Sequence, residues 1–178
     1  IETNSWDESI NFIKDGKCDL LSSAQKTKKR EEYLNFTSSY VSSPLVVATK
    51  SQVQFIDNFS KVSNMKFTIV KGYASIDILK EKYPNIQIIE VNNINEGLKK
   101  VRDSEVFGFI DTVPTIANAI KNKEYFDLSI NGKVELDWEL AIATRKDIPI
   151  LNSIYEKGVT SLSKEEKEKI YNKWINLP

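Results

Sequence analysis

Segments with helical spacing alternate with short β-rich runs along almost the whole chain. The apolar runs that read as buried strands lie at 44–49, 66–70, 86–91, 106–110 and 139–144. Such alternation is typical of α/β architecture, and it predicts mainly parallel strands. With 178 residues and 40% hydrophobic composition, the chain can build one sizeable core or two small lobes, and it is too apolar to remain disordered.

Short sequence signals place several element boundaries. Ser5 with Glu8 forms a capping box that predicts a helix start, and Gly16 predicts the end of that helix. The run 18–21 predicts a strand, and the dipeptide at 131–132, Asn-Gly, predicts a turn. Together these signals predict that the chain begins with a helix and a strand, which are followed by the alternating helices and strands described above.

Composition excludes several classes of function. Lys+Arg and Asp+Glu both number 25, so no net field attracts nucleic acid, which we do not expect as a partner. The absence of His and the single Cys exclude a Ser-His-Asp or Cys-His nucleophile and a zinc site of the usual kind. We therefore expect no catalytic residue, metal or cofactor, and we interpret Cys18 as core filler.

No apolar stretch approaches the roughly 20 residues that a membrane-spanning helix needs. The chain opens IETNSW, without a basic and then apolar leader. We expect any targeting or membrane segment to lie outside this sequence.

The run 19–50 carries the clearest chemical signal. Its first strand turns polar at its C-terminal end, and the next helix, capped by Thr27, begins with three cations. Cations in a first helical turn oppose the helix dipole, which makes the turn a candidate site for an external anion such as a carboxylate. The candidate donors in this turn are Ser22, Ser23, Thr27 and Arg30.

The same run resembles the family-3 bacterial solute-binding proteins, the Venus-flytrap domains that bind amino acids and similar small polar solutes. The residues that match the family's order are Gly16, Asp19, Ser22, Ser23, Thr27, Arg30, Leu34, Phe36, Thr37, Tyr40 and Val46. The resemblance implies a periplasmic-binding-protein-like type II fold, in which two α/β lobes are joined by two crossover strands. It assigns 1–45 and 140–178 to a discontinuous first lobe and 46–139 to the second. The family's opening strand and helix precede IETNSW, so we expect the first lobe to be incomplete.

The resemblance also implies roles for individual residues. Arg30 would grip the ligand carboxylate, with Ser22, Ser23 and Thr27 as companion donors; the alternative is that these three act only as caps. Gly72, Ala74 and Ser75 would offer main-chain amides or a hydroxyl from the second lobe, unless they form an ordinary strand-to-helix turn. Asp111 would receive an α-ammonium, or would merely start the next helix. Arg and Asp together would recognise a zwitterion.

These expectations lead to a periplasmic or otherwise extracytoplasmic domain that binds an amino acid or related small carboxylate by hinged closure. Its partner would be the membrane-bound kinase or cyclase region of a sensor, or an ABC permease. One alternative is a dehydratase-like enzyme on a prephenate-type acid, with Glu139 or Asp111 as general acid. Another is an interaction domain that has lost its ligand.

Overall fold

The computed structural model describes residues 1–121 and 125–174. The chain forms two compact units: unit 1 comprises Ile1–Ser42 with Glu139–Pro178, and unit 2 comprises Ser43–Trp138. The division into lobes at 45/46 and 139/140 remains a prediction about the hinge. In chain order the elements are α1 (Trp6–Lys14), β1 (Leu20–Ala24), α2 (Lys28–Glu31), β2 (Leu34–Phe36), β3 (Val41–Lys50), a 3-10 turn (Phe59–Lys61), β4 (Lys66–Val70), α3 (Ser75–Lys82), β5 (Gln87–Val91), α4 (Ile94–Arg102), β6 (Gly108–Thr112), α5 (Val113–Lys121), β7 (Leu128–Arg145), α6 (Pro149–Ser161) and α7 (Lys164–Trp174).

The C-terminal part of β7 organises the strands of unit 1. Both β1 and β2 pair with it in antiparallel fashion, and Thr144 lies opposite Leu20 on one side and Asn35 on the other. The structure begins the first strand at Leu20, two residues after the predicted start of the 18–21 run. The small core beneath these strands is formed by Ile13, Leu21, Ala24, Leu34 and Ala143.

The first helix begins and ends as the sequence predicts. The Ser5 hydroxyl accepts a hydrogen bond from the Glu8 amide at 3.2 Å, while the Glu8 carboxylate accepts one from the Asn4 amide at 2.6 Å. Gly16 follows the helix with φ +69, a left-handed conformation that glycine adopts without strain. The capping box therefore reaches one residue further upstream than its usual form.

Unit 2 contains a mixed sheet in the strand order β7-β3-β6-β4-β5. β4 runs parallel to both β5 and β6, but β3 pairs with β6 in antiparallel fashion. The prediction of mainly parallel strands was therefore wrong outside β4, β5 and β6, because the two long strands β3 and β7 run through both units and pair antiparallel with their neighbours. The α/β fold class itself is confirmed by the alternating helices and strands.

The predicted turn at Asn131 and Gly132 was also wrong. Both residues lie inside β7, where the Asn131 side-chain amide donates to the Thr49 hydroxyl at 2.8 Å. Gly132 forms a parallel bridge with Ile56, and a Cβ at this glycine would lie 2.8 Å from the Cβ of Ile56. The glycine is required here for the close approach of another segment, not for a change of chain direction.

α4 packs closely against the sheet of unit 2. It begins after Asn93, whose side chain accepts a hydrogen bond from the Glu96 amide at 2.9 Å. On its buried face, a Cβ at Gly97 would lie 2.6 Å from the ring of Phe109 in β6. This contact, together with buried Leu98 and Val101, holds the helix against the strands.

Candidate functional site

Arg30 is buried in unit 1, although its neighbours Lys28 and Lys29 are exposed. Its side chain is 7% exposed, its Nη1 donates to the Gln25 carbonyl at 2.8 Å, and its guanidinium carbon lies 5.4 Å from the centre of the Trp6 ring. The helix that carries it is capped by Thr27, whose hydroxyl accepts a hydrogen bond from the Arg30 amide at 3.2 Å. A main-chain carbonyl and an aromatic face thus fix the direction of the guanidinium.

Ser22 and Ser23 lie in the C-terminal half of β1, where the strand turns polar. Ser22 is exposed and Ser23 is half-buried. The Ser22 carbonyl accepts a hydrogen bond from the Tyr40 hydroxyl at 2.6 Å, which fixes the main chain at this point. Both serines line a cavity of about 380 Å³ within unit 1, together with Trp6, Leu21 and other residues. They can offer hydroxyl groups to a polar ligand.

The turn between β4 and α3 contains the predicted residues Gly72, Ala74 and Ser75. Gly72 adopts φ +77, and the Tyr73 amide donates back to the Val70 carbonyl at 3.2 Å. Ala74 occupies the N-cap position of α3 and makes no side-chain cap bond, and Ser75 begins the helix with 2% of its surface exposed. The first amides of a helix point outward along its axis, so this turn can present main-chain donors to an anion.

Asp111 is a buried carboxylate in β6. It is 4% exposed, and its Oδ1 accepts a hydrogen bond from the Thr112 amide at 2.6 Å. Its Oδ2 is buried and has no hydrogen-bond partner among the described residues. Burial raises the pKa of Asp111 from its ordinary 3.8 to about 6, although the Thr112 amide and the hydroxyls of Thr115 and Thr112 act to lower it.

The structure brings Asp111 and the turn after β4 to the same edge of the sheet in unit 2. β4 and β6 are parallel neighbours, so their carboxyl ends lie side by side. Tyr73 links the two features, because burial and the charge of Asp111 both raise the pKa of its phenol. In unit 1, the four predicted residues lie in β1 and at the start of the next helix: Ser22 and Ser23 are in the strand, Thr27 caps α2 and Arg30 lies in α2. That the two sets together bind one ligand stays a prediction.

Three contacts around these groups cannot be predicted from the sequence patterns. The helical spacing of Trp6 with Ile10 and Ile13 indicates a core position, whereas its ring also lies beneath Arg30. Gln25 contributes its main-chain carbonyl, which no side-chain pattern can reveal. Tyr40 belongs to the matched motif, but its bond to Ser22 depends on the fold of the segment after β2.

The part of the chain that the structure describes contains neither a metal-binding cluster nor a candidate membrane-spanning helix. No three His, Cys, Asp or Glu side chains within 1–121 and 125–174 cluster closely enough to hold a metal ion. None of the helices in those ranges combines the length and apolar character that a bilayer crossing requires.

Comparison with known families identifies the chain. The profile of the bacterial extracellular solute-binding proteins, family 3, matches residues 1–177. The chain belongs to this family. Among curated members, it is 23% identical over 98% of its length to the virulence sensor protein BvgS of Bordetella pertussis and 24% identical over 92% to the sensor protein EvgS of Escherichia coli K12. It is also 24% identical over 93% of its length to the ABC transporter glutamine-binding protein GlnH of Bacillus subtilis.

The solute-binding domain described here spans only part of these relatives. It covers 14% of the length of BvgS and of EvgS, and 61% of GlnH. Among solved structures, the periplasmic VFT2 domain of BvgS from B. pertussis matches with a TM-score of 0.87 at 22% identity, over 98% of this chain and 74% of that one. An ancestral arginine-binding protein bound to arginine matches with a TM-score of 0.82 at 19% identity, over 97% and 78%. Both comparisons confirm the periplasmic-binding-protein-like fold.

Proposed function

We propose that this solute-binding domain is an extracytoplasmic receptor for an amino acid or a closely related small carboxylate. The proposal rests chiefly on the burial of the Asp111 carboxylate in unit 2 and on its incomplete hydrogen bonding. A carboxylate that is 4% exposed and has one buried oxygen without a partner is costly to keep ionised. A cationic ligand group would supply the missing partner, and the α-ammonium of an amino acid is the group that the family membership suggests.

Arg30 supplies the complementary half of the proposed site. Its guanidinium is held by the Gln25 carbonyl and the Trp6 ring, which leaves it oriented before a ligand arrives. A planar guanidinium donates two parallel hydrogen bonds to a carboxylate, and Ser22, Ser23 and Thr27 are the nearby hydroxyl donors. In unit 2, the main-chain amides of the turn at Gly72, Ala74 and Ser75 would approach the same carboxylate. A ligand held by residues of both units would favour a closed state over an open one.

We further propose that the domain serves as the sensing module of a larger membrane-bound sensor. BvgS and EvgS are sensor proteins, and the match to each of them extends over more than nine-tenths of this chain. The partner would then be a membrane-bound kinase region, and closure would be the signal. An ABC permease is the alternative partner, which the similarity to GlnH supports.

The proposal is tested by calorimetric titration and thermal unfolding of the protein with the twenty L-amino acids and with small dicarboxylates. A bound amino acid at a hundredfold excess over its dissociation constant should add about 2.7 kcal/mol to the free energy of unfolding. The N-acetyl and carboxamide derivatives of the same amino acid should fail to bind, because each removes one of the two charges.

Two matched pairs of variants test the assigned residues. Arg30→Ala should abolish the effect, whereas Arg102→Ala should not, although Arg102 also stacks on an aromatic ring, at 5.2 Å from the centre of Tyr125. Asp111→Asn should abolish binding, whereas Asp127→Asn should not, although Asp127 also has a buried carboxylate oxygen without a partner among the described residues. Equal losses in both members of either pair would contradict the assignment, and binding of N-acetyl derivatives would contradict recognition of a zwitterion.

A further inference from the structure

A short segment of unit 1 fastens together the two passages of the chain that lead to unit 2. We call residues 37–40, between β2 and β3, the crossover anchor; the chain enters unit 2 after Ser42 and returns at Glu139. The Thr37 amide donates to the Ile142 carbonyl at 3.0 Å, and the Ile142 amide donates back to the Thr37 hydroxyl at 3.1 Å. The chain passage that leaves unit 1 and the passage that returns to it are thus hydrogen-bonded to each other within unit 1.

The hydrogen bonds between the two passages continue to Leu140, next to the boundary of unit 1 at Glu139. The Tyr40 amide donates to the Leu140 carbonyl at 3.1 Å, and the Ser39 hydroxyl donates to the same carbonyl at 3.1 Å. Tyr40 also holds the Ser22 carbonyl through its hydroxyl. The crossover anchor therefore connects the strand that carries two of the proposed ligand donors to both chain passages.

The carboxylate of Glu156 in α6 accepts two hydrogen bonds from the crossover anchor. The Ser38 amide donates to Oε2 of Glu156 at 2.6 Å, and the Ser38 hydroxyl donates to Oε1 of the same group at 2.6 Å. These two bonds lower the pKa of Glu156, so the group is ionised at neutral pH. Both oxygens of one carboxylate are thus used on one residue that lies 118 positions away in sequence.

We propose that Glu156 is a positioning residue for ligand binding, which acts through Ser38 on the crossover anchor without contacting the ligand. Glu156 holds the two chain passages in place at the boundary of unit 1 and so restricts their motion in the free protein. Ligand binding would otherwise have to suppress that motion. Ordering that is already present in the free protein need not be supplied by the ligand, and affinity is correspondingly higher. This inference rests on the proposed function for its effect on ligand affinity, but the restriction of motion is a property of the free protein.

The chain offers a closely matched control. In α7, the Ser163 amide donates to the Glu166 carboxylate at 2.8 Å, and the Glu166 amide donates to the Ser163 hydroxyl at 3.1 Å. This is a Ser–Glu pair with similar chemistry in the same unit, but it spans three residues and only caps a helix. Glu156→Ala and Glu166→Ala therefore separate loss of the crossover anchor from loss of a surface carboxylate.

Three measurements on the same variants test the inference. In Glu156→Ala, amide hydrogen exchange at Tyr40 and Ile142 should accelerate about tenfold, the change that corresponds to loss of a charge-assisted hydrogen bond. Spin labels on unit 1 at the exposed residue Asn11 and on unit 2 at Lys80, in a Cys18→Ser background, should report a broader distance distribution. The dissociation constants for L-glutamine and L-arginine should rise about threefold to tenfold for whichever of the two binds. Glu166→Ala should change none of these values.

The outcomes distinguish the inference from the proposed function. Unchanged exchange and an unchanged distance distribution in Glu156→Ala would overturn the inference, as would faster exchange with an affinity equal to that of the wild type. If the wild type binds neither amino acid, the proposed function loses support, and the distance distribution still decides whether Glu156 positions the passages. Glu156→Gln keeps one acceptor for the Ser38 amide and should restore part of the protection. Should Glu156→Ala fail to fold, Ser38→Ala removes one of the two bonds and should give smaller changes in the same direction.

Discussion

Replacing Asp111 by asparagine should stabilise the ligand-free protein at neutral pH while it abolishes ligand binding. The carboxyl group has a pKa of about 6 in the folded protein, against its ordinary 3.8 in the unfolded chain. Because the unfolded chain ionises this group more easily, the free energy of unfolding falls as the pH rises from about 4 to about 6. At 1.36 kcal/mol for each pKa unit, this difference corresponds to about 3 kcal/mol at neutral pH.

Asparagine removes the charge and keeps the acceptor for the Thr112 amide. Its new side-chain N–H group takes the place of Oδ2, which has no hydrogen-bond partner among the described residues, and a buried donor of this kind costs about 1–2 kcal/mol unless a threonine hydroxyl accepts from it. We therefore expect Asp111→Asn to be about 1–3 kcal/mol more stable than the wild type at pH 7.5. Near pH 4, the folded carboxyl is protonated and the unfolded one is only partly ionised, so the penalty on the wild type falls below about 1 kcal/mol. The variant should then be equally stable or slightly less stable.

Urea unfolding, followed by tryptophan fluorescence at several pH values between 4 and 8, measures this difference. The other titrating groups are common to both proteins, so the difference between their unfolding free energies isolates the contribution of Asp111. A difference between wild type and Asp111→Asn that stays constant within about 1 kcal/mol from pH 4.5 to 7.5 would refute the argument that burial dominates the energetics of this carboxylate.

Amino-acid affinity should fall as the pH drops below about 6, by up to about tenfold for each pH unit, because Asp111 must lose its proton to pair with an ammonium; titration calorimetry at pH 5 and 7.5 measures this, and a flat profile would contradict the pairing. Thr27→Ala removes the cap of α2 and should cost about 0.5–2 kcal/mol of stability and weaken carboxylate binding, while Thr27→Ser should retain both in urea unfolding and titration. Gly97→Ala should destabilise unit 2 by about 1–3 kcal/mol, because the new Cβ would lie 2.6 Å from the Phe109 ring; unchanged urea unfolding would show that α4 can shift without cost.

Patterns that depend on neighbouring residues predicted the fold well. The strand at Lys66–Val70 was predicted to the residue, and the first helix lies between Ser5 and Gly16 as predicted, because a buried apolar run marks the strand and local signals mark the ends of the helix. The turn at Asn131 and Gly132 was wrong because pairing with residues about eighty positions earlier, including Thr49, overrides a local turn preference.

The chemical character of the candidate site was harder to predict than its position. A run of three cations indicates a charged surface, and nothing in it reveals that Arg30 alone is buried against Trp6. The position of Asp111 at the end of a strand is readable from the sequence, but its buried and unpartnered oxygen depends on which strands lie beside it. Burial and satisfaction of polar groups are properties of the assembled sheet, so they require the structure.

The discontinuous composition of unit 1 has a consequence for biosynthesis. Unit 2 is formed by the continuous stretch Ser43–Trp138, so a nascent chain contains all of it before the residues of β7 that belong to unit 1 have been made. Until those residues emerge, β1 and β2 lack the strand with which they pair. We therefore expect a folding order in which the middle of the chain becomes compact first and the N-terminal segment waits for its partner. A ribosome stalled when Trp138 has just left the exit tunnel, with the following residues of β7 still inside it, should thus hold a protease-resistant unit 2 attached to a protease-sensitive N-terminus.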